Sequence, residues 1–204
     1  MDYSQAFHDG QVINTCLGEL VVSCCDGGDL VLPTGQIVAC DPIVCPETQP
    51  FTVRASPGSY PVLLSIAHIE TDQRVAAAMV RFSDRQPVRW DMALLPDEDV
   101  NELDSDAIFG YDVDSGEGCF MDVRAARVLV RKRSRDNDFF SRLMDEMRET
   151  YVPTWSWLNK VLDAGTGANL VTFSTGCGDG RYASYFGYTA KGKLVCLVTD
   201  FFVK

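Results

Sequence analysis

Short apolar runs broken by turn residues fill the first half of the chain. GELVVSCC (18–25) is one such run, closed by the turn signal DGGD. DLVLPTGQIVACDP (29–42) predicts a strand, a Pro-Thr-Gly turn and a second strand. FTVRASPGSYPVLLSIAHIE (51–70) predicts a strand, a Ser-Pro-Gly break and another strand. RVAAAMVRFSD (74–84) has apolar residues at both alternating sets of positions, which expects cover on both faces. PVRWDMALLP (87–96) adds one more. Strands this short, recurring roughly every ten residues between Gly, Pro and Asp, predict an antiparallel sandwich or barrel-like body.

The period changes near residue 136. In NDFFSRLMDEMRETY, Phe139, Phe140, Leu143, Met144 and Met147 fall on one helical face, with Asn137 or Asp138 as cap. Pro153 ends that helix. Trp155, Leu158, Val161 and Leu162 in TWSWLNKVLD predict a second helix, ended at Gly165. ANLVTFST, YASYFGYT and KLVCLVTDFFVK then predict three closing strands. RAARVLVRKRSR (124–135) reads as either a strand or a short helix running into a basic patch. The fold class expected is therefore α+β, mainly β. It is one domain over 1–204, with a helical hairpin inserted at 136–163 before the last strands and a mobile N-terminus at 1–17.

Composition changes this picture little: 46% hydrophobic and 23% charged residues are ordinary for a folded domain able to bury a core. Charge changes it more. With 29 acids against 18 bases the net charge is −11, which argues against nucleic acid and against an anionic membrane surface. The field suits a basic partner or a metal ion. The start, MDYSQAFHDGQVINTC, has no basic n-region and no long apolar run, so a cytoplasmic protein is expected. The eight cysteines show no C-x-x-C pair and are read as reduced thiols, mostly small core residues.

Several chemistries are missing from the sequence. Only His8 and His68 are available for a nucleophile's base, and no G-x-S-x-G, H-E-x-x-H, Walker or G-x-G-x-x-G motif occurs. Carboxylate chemistry remains. GYDVDSGEGCFMD carries Asp112, Asp114, Glu117 and Asp122 among glycines, an incomplete calcium-loop pattern. TGCGDGRYASYFGY carries Asp179 between two glycines, followed by Tyr182, Tyr185 and Tyr188. Asp200, in VCLVTDFF, and Asp91 are acids in apolar strands that need solvent or a partner such as Arg81, Arg89 or Arg181.

These segments, with LVLPTGQIVACDP, SYPVLLSIA, RVAAAMVRFSD, PVRWDMAL and LVCLVTDF, resemble an uncharacterised, mainly bacterial family, domain of unknown function four-two-four-one. The resemblance runs from about Leu30 to Phe201. Asp114, Gly116, Gly118, Phe120 and Asp122 match one family motif; Gly178, Asp179, Gly180, Tyr182, Tyr185 and Gly187 match the other. Cys177 stands where the family often places Trp. The resemblance implies a whole-domain unit and no activity.

The expected function is a cytosolic binding or interaction protein. The two Gly-Asp loops would form an acidic, aromatic face of Asp114, Asp179, Tyr182, Tyr185 and Asp200 for a protein or small-molecule partner. The alternative is a divalent-metal-dependent hydrolase, with metal at Asp112, Asp114 and Asp179 and Asp200 joining as ligand or base. No cofactor is otherwise expected. Redox sensing by Cys24 and Cys25 or by Cys177 is a third reading.

Overall fold

Strand pairing organises the chain into two stacked antiparallel sheets. The computed structural model describes residues 2–15, 18–104 and 107–201. The elements are β1 (Val12–Thr15), β2 (Gly18–Leu32), β3 (Ile37–Cys40), β4 (Gly58–Ile69), β5 (Asp72–Arg81), β6 (Arg89–Met92), β7 (Tyr111–Val113) and β8 (Glu117–Asp122). Then come α1 (Val123–Arg135), α2 (Phe139–Met147), β9 (Trp157–Asp163), β10 (Ala168–Ser174), β11 (Gly180–Tyr182), β12 (Ser184–Tyr188) and β13 (Leu194–Asp200). The large sheet runs β1-β2-β4-β5-β13-β12-β6 and the small one β3-β8-β10-β9; β11 and β7 form a separate two-stranded ladder.

The main core lies between the sheets. Leu30, Leu64, Ile66, Val80, Phe186 and Leu197 of the large sheet meet Ile37, Phe120, Val171 and Phe173 of the small one. The small sheet's other face, with Val38, Met121 and Leu170, is covered by Leu129 of α1 and Leu143 of α2. The outer face of the large sheet is partly covered by a 3-10 turn at Tyr3–Phe7. The mainly β body with a helical hairpin ahead of the last strands is thus the architecture expected.

Its details differ from the pattern at DGGD and at the second expected helix, and of the two readings open at 124–135 it takes the helix. DGGD does not end a strand: β2 runs through it with a bulge between Asp26 and Asp29. Gly28 holds φ +76°, and a Cβ there would stand 2.8 Å from Asn159 Nδ2, so the bulge is shaped to receive β9. RAARVLVRKRSR is the first helix. Asp122 caps it, accepting from Arg124 N–H at 2.8 Å, and Val123, Ala125, Ala126 and Leu129 bury its inner face. The second helix expected at 154–163 is instead β9, so the hairpin occupies 123–147 rather than 136–163. Its real period is two: Leu158 and Leu162 face the helices, Trp157 faces the main core, and Val161 is exposed. At the N-terminus, expected to be mobile, residues 2–15 form the 3-10 turn and β1; Met1, Cys16 and Leu17 lie outside the described residues.

Candidate functional site

The two Gly-Asp bends lie side by side because their flanks pair twice. Val113 faces Gly180 in the β7–β11 ladder, and Glu117 faces Ser174 in the β8–β10 ladder. Between these pairings the chain bows out on both sides. Thr175 N–H donates to Gly116 O at 3.0 Å and ties the bends together. Asp41, fully buried just after β3, fixes the first bend. Its Oδ2 accepts from Asp114 N–H at 3.0 Å and Ser115 N–H at 2.8 Å; its Oδ1 accepts from Ile43 and Val44 N–H at 2.8 and 3.0 Å. Four charge-assisted bonds explain why this carboxylate tolerates burial. Gly118 lets the second bend close in: a Cβ there would sit 2.7 Å from the Tyr111 hydroxyl and 2.9 Å from Thr175 Cγ2.

The expected site residues divide into three groups. Asp114 and Asp179 are exposed neighbours on the rim of the bends. Asp112 is also exposed but turned onto Arg181, which donates from Nε at 2.7 Å and Nη2 at 2.9 Å and holds its carboxyl below the usual range. The aromatic residues do not make a face. Tyr182 is buried, its hydroxyl donating to Gly178 O at 2.7 Å. Tyr185 stacks on Tyr3 at 4.4 Å between ring centres, on the outer face of the large sheet. Asp200, also buried, faces that same side and helps push the Tyr3 hydroxyl up, after burial and Tyr185. Among the described residues, no group of three or more His, Cys, Asp or Glu side chains is placed to hold a metal ion. Asp91, the other strand acid, pairs with Arg89 at 3.1 Å. Of the thiols singled out, Cys24 is pushed up to about 11, first by burial and then by Asp9, which disfavours a reactive thiolate.

What the bends enclose is a cleft of about 340 Å³. One side is backbone: Gly116 from the first bend, Gly176 and Gly178 from the second. The other side is the end of α2, with Met144, Met147 and Arg148, and the segment that follows it, with Tyr151, Thr154 and Ser156. Arg74 of β5 and Ser174 complete the lining. Glu117 is the cleft's one buried acid, 7% exposed. Its Oε1 accepts from Ser174 Oγ at a long 3.4 Å, and its Oε2 has no hydrogen-bond partner among the described residues. This carboxyl is pushed up to about 8, first by burial; the Ser174 bond opposes the shift and the charge of Asp41 adds to it. A perturbed acid in a cleft is the usual mark of a site that meets a ligand. The arginines of the cleft are already engaged. Arg74 donates to Asp72 at 2.7 Å and to Gly176 O at 3.4 Å; Arg148 pairs with Asp145. A smaller hollow of about 190 Å³ lies beside Asp112, between Cys45, Phe51 and Glu98. There Glu98 accepts from Leu95 N–H at 2.7 Å.

Asp41 and Arg74 were not singled out by the sequence pattern, and Glu117 was named only with the other acids of its loop. Glu117 stands among equally acidic neighbours in VDSGEGCF, and only the pairing of β8 with β10 shows which of them goes inward.

The fold and the cleft define a mainly β domain of two antiparallel sheets and a helical hairpin, with a buried acid where two Gly-Asp bends meet. The chain belongs to the family described as Protein of unknown function (DUF4241), whose profile matches residues 30–199, from the end of β2 through nearly all of β13. No curated protein and no solved structure matches it.

Proposed function

We propose that the protein is a binding protein whose ligand enters the cleft floored by Glu117. One observation carries this reading: Glu117 lines the cleft, and its Oε2, buried just behind the cleft surface, has no hydrogen-bond partner within the described residues. A buried polar atom left unpaired costs about 1–3 kcal/mol, a cost that a ligand bringing a donor would remove. The two bends, which the sequence offered as an acidic and aromatic face, serve as walls. Asp114 and Asp179 leave negative charge exposed on the bends, while Tyr182 supports the second bend through Gly178 O. The ligand is a small molecule or a side chain of a protein partner.

The cytoplasm suits this protein. Seven cysteines are free among the described residues, as in a reducing compartment, and no helix there is long and apolar enough to cross a membrane. A metal-dependent hydrolase built on Asp114, Asp179 and Asp200 is the weaker alternative, because Asp200 faces Tyr3 rather than the rim and the three carboxylates form no common donor set.

The test is a fragment screen by NMR on the intact chain, run beside Met144→Trp. The indole would fill the cleft from α2, leaving Glu117 itself unchanged. Fragments are expected to move the Glu117, Ser174 and Gly176 resonances of the parent and not those of the variant. Binding that maps to the hollow beside Cys45, or that survives Met144→Trp unchanged, would contradict the assignment.

A further inference from the structure

The chemistry of the cleft narrows the class of ligand, on the reading that the cleft is the binding site. Its charges, taken together, leave one position unmatched. Arg74 is held by Asp72 and Arg148 by Asp145, so each arginine in the lining brings its own counter-charge. Glu117 has none. The groups acting on it are Ser174 and Asp41, the second also acidic, and neither arginine is among them. Asp114 and Asp179 stand exposed on the two bends, outside the lining of the cleft. The open oxygen, Oε2, can be matched in two ways: an acceptor bonding a protonated Glu117, or a cation pairing with the carboxylate. The charge of Asp41, which acts on Glu117, favours the cation, and so does a net charge of −11.

We propose that the cleft takes a cationic head group, a primary alkylammonium or a guanidinium, seated against Glu117 Oε2. Around that position Ser156 and Ser174 offer hydroxyl oxygens for the remaining N–H donors. Met144 and Met147 line the opposite wall and fit the methylene stem that carries such a head group. The volume of about 340 Å³ accommodates a stem and head group. Entry of the cation exchanges the carboxyl proton for an ion pair. The neutral acid releases one proton to solvent as the head group arrives with its own charge intact. Affinity therefore weakens as pH falls below about 8, by about tenfold per unit.

The same chemistry comes from two sources, a free amine or a Lys or Arg side chain of a basic partner. Isothermal titration of the full chain uses n-butylammonium and agmatine for the first. Short capped peptides, each with a single Lys or Arg, serve for the second. Titrations run at pH 6 and pH 8, each in two buffers of different ionisation heat. Saturable binding, at least tenfold tighter at pH 8 and releasing close to one proton at pH 6, is expected, and it is lost in Glu117→Gln. Tighter binding of the amines points to a metabolite, tighter binding of the peptides to a protein partner. Glu117→Gln binding the cations as well as the parent does would overturn the proposal, and so would binding without proton release. Perturbation of cleft resonances by neutral or anionic fragments alone would overturn the cation while keeping the cleft. No perturbation by any fragment would remove both.

Discussion

Asp41 and Glu117 are two buried acids on neighbouring strands, and the fold treats them oppositely. Asp41 receives four backbone N–H bonds, whereas Glu117 receives one long bond from Ser174. Asp41→Asn keeps the shape but turns an NH₂ toward two backbone donors. We expect a loss of about 2–4 kcal/mol in urea unfolding. Glu117→Gln acts in the other direction. The folded carboxyl lies at about 8 against 4.5 for an unperturbed glutamate, so its favourable term is complete below about 4.5 and is lost as pH rises to about 8. Between those limits the parent loses stability relative to Glu117→Gln, at a limiting slope of about 1.4 kcal/mol per pH unit. Paired denaturation curves from pH 4 to pH 9 measure it; parallel curves would show that Glu117 titrates normally. Neither behaviour was legible in the sequence. Both acids sit beside turn residues, in ACDP and SGEG, and their fates depend on which backbone donors arrive from elsewhere.

At the scale of elements, the two sheets are joined by an amide pair. Asn169 Nδ2 donates to Asp29 O at 2.7 Å and to Asn159 Oδ1 at 2.6 Å; its own Oδ1 accepts from Val31 N–H at 2.8 Å. Asn159 in turn donates to Gly27 O and Asp29 O across the bulge. Asn169→Ala leaves the part-buried Val31 N–H without its acceptor and Asn159 Oδ1 without its donor, and we expect it to cost about 1–3 kcal/mol by thermal or urea unfolding. This junction explains what the pattern gave and what it hid. The long apolar runs of β4 and β5 and the one-sided face of α2 were plain, since each carries its signal locally. β9 was not. Leu158 and Leu162 are four apart and so satisfy a helix, but they also satisfy a strand, and pairing of Leu158 with Thr172 and Lys160 with Leu170 decides for the strand. DGGD misled similarly, because a bulge and a turn draw on the same glycines.

The whole molecule is three layers, and the cleft exists because the third closes over the end of the second. Leu143, 1% exposed, seats α2 on the small sheet, and Lys160 of β9 pairs with Glu146 of the same helix. Leu143→Ala is expected to lower stability by about 2–4 kcal/mol and to weaken any cleft ligand, a joint loss that thermal shift with and without ligand would record. The adjacency of the two bends is also a property of the whole, set by two ladders in register. The glycines announced bends, and only the register made one cleft of them. The direct measurement is the carboxyl carbon titration of Glu117 by NMR, its signal assigned by loss in Glu117→Gln. A midpoint near 8 is predicted; a midpoint near 4.5 would mean that the acid is solvated or paired, and the account of the cleft would fail.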